Sequence, residues 1–117
     1  MSGGSGFADT PEPPYVAVIF TSLKRMDDAG YGETAAQMSA LVRNHPGFLG
    51  MESTRDSEGF GVTISYWRDQ AAVTGWRSNP EHREARRLGK TNWYRAYRVR
   101  ICEVKREYAY DEDRGND

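Results

Sequence analysis

Polar and apolar side chains alternate from Gly61 to Trp67. Val62, Ile64 and Tyr66 fall on one face of a predicted strand, and Thr63, Ser65 and Trp67 on the other. The period then changes. Asp69 is a helix-capping residue, and Ala72, Val73 and Trp76 follow at helical spacing, so the strand turns directly into a short helix. Upstream, YVAVIFTS (Tyr15 to Ser22) is β-branched and aromatic, as a central strand requires. A polar turn through Lys24 to Gly30 leads to a second helix, in which Tyr31, Ala35, Met38, Leu41 and Val42 form an apolar stripe. Pro46 disfavours helix in the residue before it and Gly47 permits a turn, which ends that helix at Asn44-His45-Pro46-Gly47. FLGMESTR (Phe48 to Arg55) reads as a strand, and Asp56-Ser57-Glu58-Gly59 as the hairpin loop into the next. Asn79 and Pro80 form a cap and first-turn pair for a further helix ending near Gly89. A last strand from about Tyr94 to Tyr108 alternates Tyr97, Val99 and Ile101 with Arg98, Arg100 and Cys102.

The element order is therefore β-α-β-β-α-(α)-β. It predicts an α+β, ferredoxin-like sandwich with helices on one face of an antiparallel sheet. The other sheet face also carries apolar and aromatic side chains. Pairing two copies through it, as a homodimer, would remove that surface from water.

Length and composition agree with one domain. A chain of 117 residues, 38% hydrophobic and 28% charged, buries roughly two thirds of its unfolded surface. The net charge of -1 gives no case for nucleic acid or an acidic membrane as partner. One cysteine, Cys102, excludes an internal disulfide framework and suits a reducing compartment. It has no evident activating partner and alternates with core positions, so it reads as a small buried hydrophobe. No apolar run approaches the roughly 20 residues that span a bilayer, and the expected location is cytoplasmic. Residues 1–14 (MSGGSGFADTPEPP) read as a flexible arm and 111–117 as an acidic tail, with the folded domain at 15–110.

Candidate chemistry gathers around aromatic rings. Trp67, Trp76 and Trp93 either wall a slot for a flat apolar ligand or fill a core, with Tyr66 and Tyr31 as hydrogen-bonding rims. His82 titrates near neutral pH and is the candidate proton acceptor, set against a capping or helix-surface role. Arg86 follows one helical turn later and suits a bound anion; its neighbours Arg83, Arg87 and Lys90 also make it part of a solvated basic face. Other patterns fail. Gly89-Lys90-Thr91 imitates the end of a phosphate-binding loop, but Glu84 stands where the first glycine belongs. Gly59-Phe60-Gly61 lacks a third glycine and lies inside a hairpin. The two histidines, His45 and His82, have no acidic or thiol cluster at ligand spacing, so no metal is expected. Basic residues from Arg83 to Arg100 interleave with Trp93, Tyr94 and Tyr97, but a helix and a strand divide them, which argues against a single-stranded nucleic-acid surface.

Phe48-Leu49-Gly50 after Pro46-Gly47, a strand ending in Ser65-Tyr66-Trp67, a helix ending in Trp76, Asn79 to His82, and Trp93-Tyr94 together resemble the antibiotic biosynthesis monooxygenase superfamily. The resemblance spans about Tyr15 to Tyr108. It implies a dimeric α+β barrel and, through the cofactor-independent members, oxidation of a small aromatic, phenolic or quinol-like compound by dioxygen with no cofactor. A non-catalytic small-molecule-binding or stress-related dimer is the alternative. In the heme-degrading branch the iron-binding histidine lies on the helix after Trp76. Arg86 occupies that position here and His82 a turn earlier, and an arginine is no axial ligand at neutral pH. The first strand also offers no counterpart of the branch's asparagine. Heme degradation therefore fits less well, and no flavin-binding motif is present.

Overall fold

The computed structural model describes residues 6–113. The first five residues of the expected arm and the last four of the expected tail lie outside them. Four strands form one antiparallel sheet: β1 (Tyr15–Lys24), β2 (Phe48–Arg55), β3 (Phe60–Trp67) and β4 (Tyr94–Val104), in the order β2-β3-β1-β4. Three α-helices connect them: α1 (Tyr31–Val42), α2 (Gln70–Arg77) and α3 (Pro80–Leu88). This is the expected α+β ferredoxin-like arrangement. The central strands β1 and β3 have neighbours on both edges, and β1 is the most apolar of the four.

Register assigns every strand residue to a face. Val16 lies opposite Trp67, Val18 opposite Ser65 and Phe20 opposite Thr63; across the other edge of β1, Val18 meets Ile101 and Phe20 meets Val99. These side chains point toward the helices. Tyr15, Ala17, Ile19, Ile64, Tyr66 and Cys102 point away. On that outer face Tyr66 Oη donates to Glu52 Oε1 at 2.7 Å and Tyr15 Oη donates to Glu107 Oε1 at 2.7 Å. The Ala8 N–H bonds the second Glu52 oxygen at 2.9 Å, laying residues near the N-terminus along β2. Cys102 is exposed, which corrects its reading as a buried hydrophobe: it sits on an edge strand, on the face that carries no helices.

The local chemistry explains the breaks. Asp69 caps α2 by accepting from Ala72 N at 2.9 Å, and Asn79 caps α3 by accepting from both Glu81 N and His82 N. The hairpin at Asp56 closes through its side chain, which accepts from Glu58 N and Phe60 N. β4 ends at Val104, short of the expected Tyr108, because its partner β1 begins at Tyr15, directly opposite. Between α3 and β4 the chain makes a π-helical turn (Gly89–Trp93) that no sequence signal announced. Such turns recur at functional sites.

The core is compact and lies at one end. Val16, Val42, Trp67 and Ala72 are buried together, with Val18, Phe48, Val73 and Trp76 packed around them. Trp67 is the most enclosed large side chain, 1% exposed. Gly47 (φ +84) fits α2 against this core: a Cβ there would lie 2.5 Å from the Ala72 Cβ. Gly47→Ala is therefore expected to lose about 1–2 kcal/mol from the left-handed backbone alone and more from the overlap. Urea unfolding should show this as a lower midpoint at an unchanged slope.

Candidate functional site

Between the helices and the inner sheet face lies a cavity of about 660 Å³, open at one side and lined mostly by apolar atoms. Its width follows from how the layers are held. At one end Trp67, at the close of β3, packs against Val42 of α1 and Ala72 of α2. At the other end Trp93 is buried, its Nε1–H donating to Ala29 O at 2.9 Å, and the adjoining Arg25 N–H bonds the Trp93 carbonyl. Trp67 faces Val16 near the start of β1 and Tyr94 faces Lys24 at its finish, so the two ends are separated by about 26 Å of strand. The opening lies along β4, whose inner-face Val99 and Ile101 are 41% and 49% exposed.

The indole end is a layered stack. The Trp67 and Trp76 rings stand 6.4 Å apart at 30°, and the His82 imidazole lies on Trp76 at 4.5 Å and 21°. His45 meets both indoles edge-on, at 6.0 and 5.5 Å. The Trp67 Nε1–H is satisfied by Ser65 Oγ at 2.8 Å, so a buried indole sits here without an orphaned donor. His82 Nδ1 is 3.2 Å from the Trp76 carbonyl. A carbonyl only accepts, so Nδ1 carries the proton and Nε2 is left with its lone pair. Both His82 and Arg86 line the cavity.

The far end is phenolic. Tyr94 Oη donates to Tyr31 Oη at 3.4 Å, and Tyr31, Trp93, Tyr94 and Tyr97 contact one another edge to face, with Phe20 beneath. Burial raises the Tyr94 hydroxyl well above its ordinary range, with the Tyr31 hydrogen bond adding to the effect.

α3 borders the indole end. His82 projects toward Trp76, and Arg86, one turn on, toward Arg77. The Arg86 Nη2–H donates to Arg77 O at 2.8 Å, while its Nε is buried with no acceptor. Burial first, and the Arg86 charge second, push His82 down to about 4. The imidazole is accordingly neutral at physiological pH.

Of the residues singled out in the sequence, Trp67, Trp76, Trp93, Tyr31, His82 and Arg86 all line this one cavity. Tyr66 does not: it occupies the outer face, bonded to Glu52, because consecutive strand residues point to opposite sides. Tyr94 and Tyr97 line the cavity without having been singled out for a site. Tyr97 was signalled by its alternation with Val99 and Ile101. Tyr94 was not, since the π turn directs two consecutive rings into the same space.

The chain resembles known proteins over almost all of this structure. The family model described as antibiotic biosynthesis monooxygenase matches residues 14–88. The uncharacterized protein YqjZ of Bacillus subtilis is 48% identical over 104 residues, covering 89% of this chain and 91% of its own. Two solved structures share the fold: Rv0793 from Mycobacterium tuberculosis (TM-score 0.70, 20% identity, 80% of this chain and 97% of that one) and SnoaB, a cofactor-independent oxygenase from Streptomyces nogalater (TM-score 0.69, 14% identity, 81% and 97%).

A depressed imidazole has a defined pH signature. The unfolded chain takes up the His82 proton near pH 6.5 and the folded chain only near 4, so the unfolded state binds more protons between them. Stability should fall as pH drops through that window and lose nothing more from this group below it. His82→Gln should remove that part of the slope in urea titrations at stepped pH. By NMR, the His82 ring should titrate near pH 4, moving upward in Arg86→Met.

Proposed function

The chain belongs to the antibiotic biosynthesis monooxygenase family, and from that premise we propose that it oxidises a flat, electron-rich phenol or quinol-like compound with dioxygen, without a cofactor. The observation that carries this reading is a cavity of about 660 Å³ in which aromatic walls, a neutral imidazole and a guanidinium converge. In the reaction so read, the substrate loses a proton to become a reductant. For a phenol in its keto tautomer a ring methylene is then converted to a carbonyl, with one oxygen atom retained and the other released as water, the substrate supplying all four electrons. A quinol instead gives up two electrons and two protons to become a quinone, and dioxygen leaves as hydrogen peroxide; neither reaction requires an external reductant.

Each residue in this scheme has a physical task. Trp67 and Trp76 wall the slot and exclude water, and Tyr31 and Trp93 bound its other end. The lone pair of His82 Nε2 accepts the proton. The burial that keeps His82 neutral also makes it a weak acceptor, so the anion formed must be stabilised by charge. Arg86, one turn away, supplies it. Pairing of two protomers through the outer sheet faces, and a cytoplasmic location, belong to the same proposal. Among the described residues no helix is long and apolar enough to cross a membrane.

A second reading, binding without turnover, draws support from the same depressed imidazole. Oxygen uptake separates them. With an anthrone or hydroquinone panel, the protein should consume oxygen, and His82→Gln should slow it by about a hundredfold or more. Trp67→Phe should weaken substrate binding, whereas Tyr66→Phe, on the outer face, should leave both rate and affinity unchanged. Equal turnover in the wild type, His82→Gln and Trp67→Phe would exclude this site, and saturable binding with no oxygen uptake would leave only the second reading.

A further inference from the structure

Register lines up the outer-face residues of the sheet in rows, one from each strand. Glu52 of β2 lies opposite Ile64 of β3, Ile64 opposite Ile19 of β1, and Ile19 opposite Arg100 of β4. This row is acidic at one edge, apolar at its centre and basic at the other edge. The adjacent row reads Gly50, Tyr66, Ala17, Cys102. A two-fold axis parallel to the strands lays each row on its own reverse. Glu52 then meets the partner's Arg100, Ile64 the partner's Ile19, and the large Tyr66 the partner's small Ala17. Arg100 is exposed and, among the described residues, takes part in no ion pair.

That place is already taken within the protomer. The Ala8 N–H donates to Glu52 Oε2 and Tyr66 Oη to Glu52 Oε1, so both carboxylate oxygens are engaged. A Cβ at Gly50 would lie 3.0 Å from the Ala8 Cβ, so Ala8 rests directly on β2. Thr10 Oγ1 donates to Tyr15 Oη at 3.1 Å, and residues 10–13 border a groove with residues 107–109. Tyr15 and Ala17 are accordingly buried on a face without helices, whereas Leu23 and Phe60, paired at its other end, are exposed. Residues 7–13 lie ahead of the family match at 14–88, so membership says nothing about them.

Resting on the pairing of two protomers through these faces, we infer that residues 7–13 are a strap that competes with the second copy for Glu52. Sheets packed face to face stand about 10 Å apart, and a chain lying on β2 fills that gap. The partner's Arg100 and the strap's Ala8 thus exclude each other. With the strap lifted, Glu52 exchanges a backbone amide for a guanidinium, whose paired donors suit a carboxylate. The polar hold on the strap is slight, one amide on Glu52 and one hydroxyl shared between Tyr15 and Glu107. Pairing sets against it the apolar area of the sheet centre. The strap is seated in the single protomer and displaced in the pair, so it governs the concentration at which pairing occurs.

The test uses the full chain, comparing wild type with Ala8→Pro, which lacks the amide donor, by sedimentation equilibrium. Ala8→Pro is expected to pair at least tenfold more tightly, since a hydrogen bond to a charged group holds the strap. In that background Arg100→Glu should undo the gain, and adding Glu52→Arg should restore it by exchanging the two charges. In the wild type, hydrogen exchange of the Ala8 amide should quicken as rising concentration drives pairing, because its bond to Glu52 is given up. That readout decides without a variant, should Ala8→Pro fail to fold. Equal pairing of wild type and Ala8→Pro, or a gain that Arg100→Glu leaves intact, overturns the competition for Glu52 and leaves the sheet-to-sheet dimer standing. Slower Ala8 exchange on pairing does the same. Absence of pairing in both proteins removes the dimer reading and this inference with it.

Discussion

Two buried indoles hold the helical layer at a set height above the sheet, and everything else in the molecule depends on that spacing. Trp67 fastens α1 and α2 at one end through Val42 and Ala72, and Trp93 fastens the start of α1 at the other through the Ala29 carbonyl. A side chain of this size fixes the separation between layers, and the small residues it meets allow the backbones to close around it. Between the two anchors the facing side chains leave a cavity of about 660 Å³ unfilled. In a protein interior otherwise packed near crystal density, a hollow of this size persists only because rigid elements prop it open.

The hollow is electrostatically one-sided. Its walls remove more water from His82 than from Arg86, and the Arg86 charge acts on the imidazole across the enclosure. The imidazole responds by losing its proton; the guanidinium, which does not deprotonate in proteins, retains its charge. The fixed dipole of the Trp76 carbonyl determines which imidazole nitrogen bears the remaining hydrogen. The charge and protonation of this end of the cavity are therefore set by one helix turn of α3, held in place by the Asn79 cap.

The outer sheet face follows a different logic. There Tyr15 and Tyr66 meet edge to face at 5.8 Å and give their hydroxyls to Glu107 and Glu52, whose carboxylates also hold Thr10 and the Ala8 amide. Burial, with the bond to Glu52 adding to it, keeps Tyr66 protonated. These tyrosines fasten chain segments and are not chemically poised, although their composition is the same as that of the phenols inside.

The sequence by itself determined the elements, their order and the sidedness of each strand, because hydrophobic period and capping chemistry are local. Asp69, Asn79 and Gly47 each marked a boundary that the backbone honours. It also marked the three tryptophans, His82 and Arg86 as candidates for one site. Only the tertiary structure decided that these residues line one cavity, that Tyr66 stands outside, and that Tyr94 stands inside. It alone fixed the proton on His82 Nδ1, left Arg86 without a countercharge and exposed Cys102. Those outcomes depend on which layers cover a residue and how far apart the layers stand, and both are set by contacts between different elements, such as Trp67 with Val42 and Trp93 with Ala29.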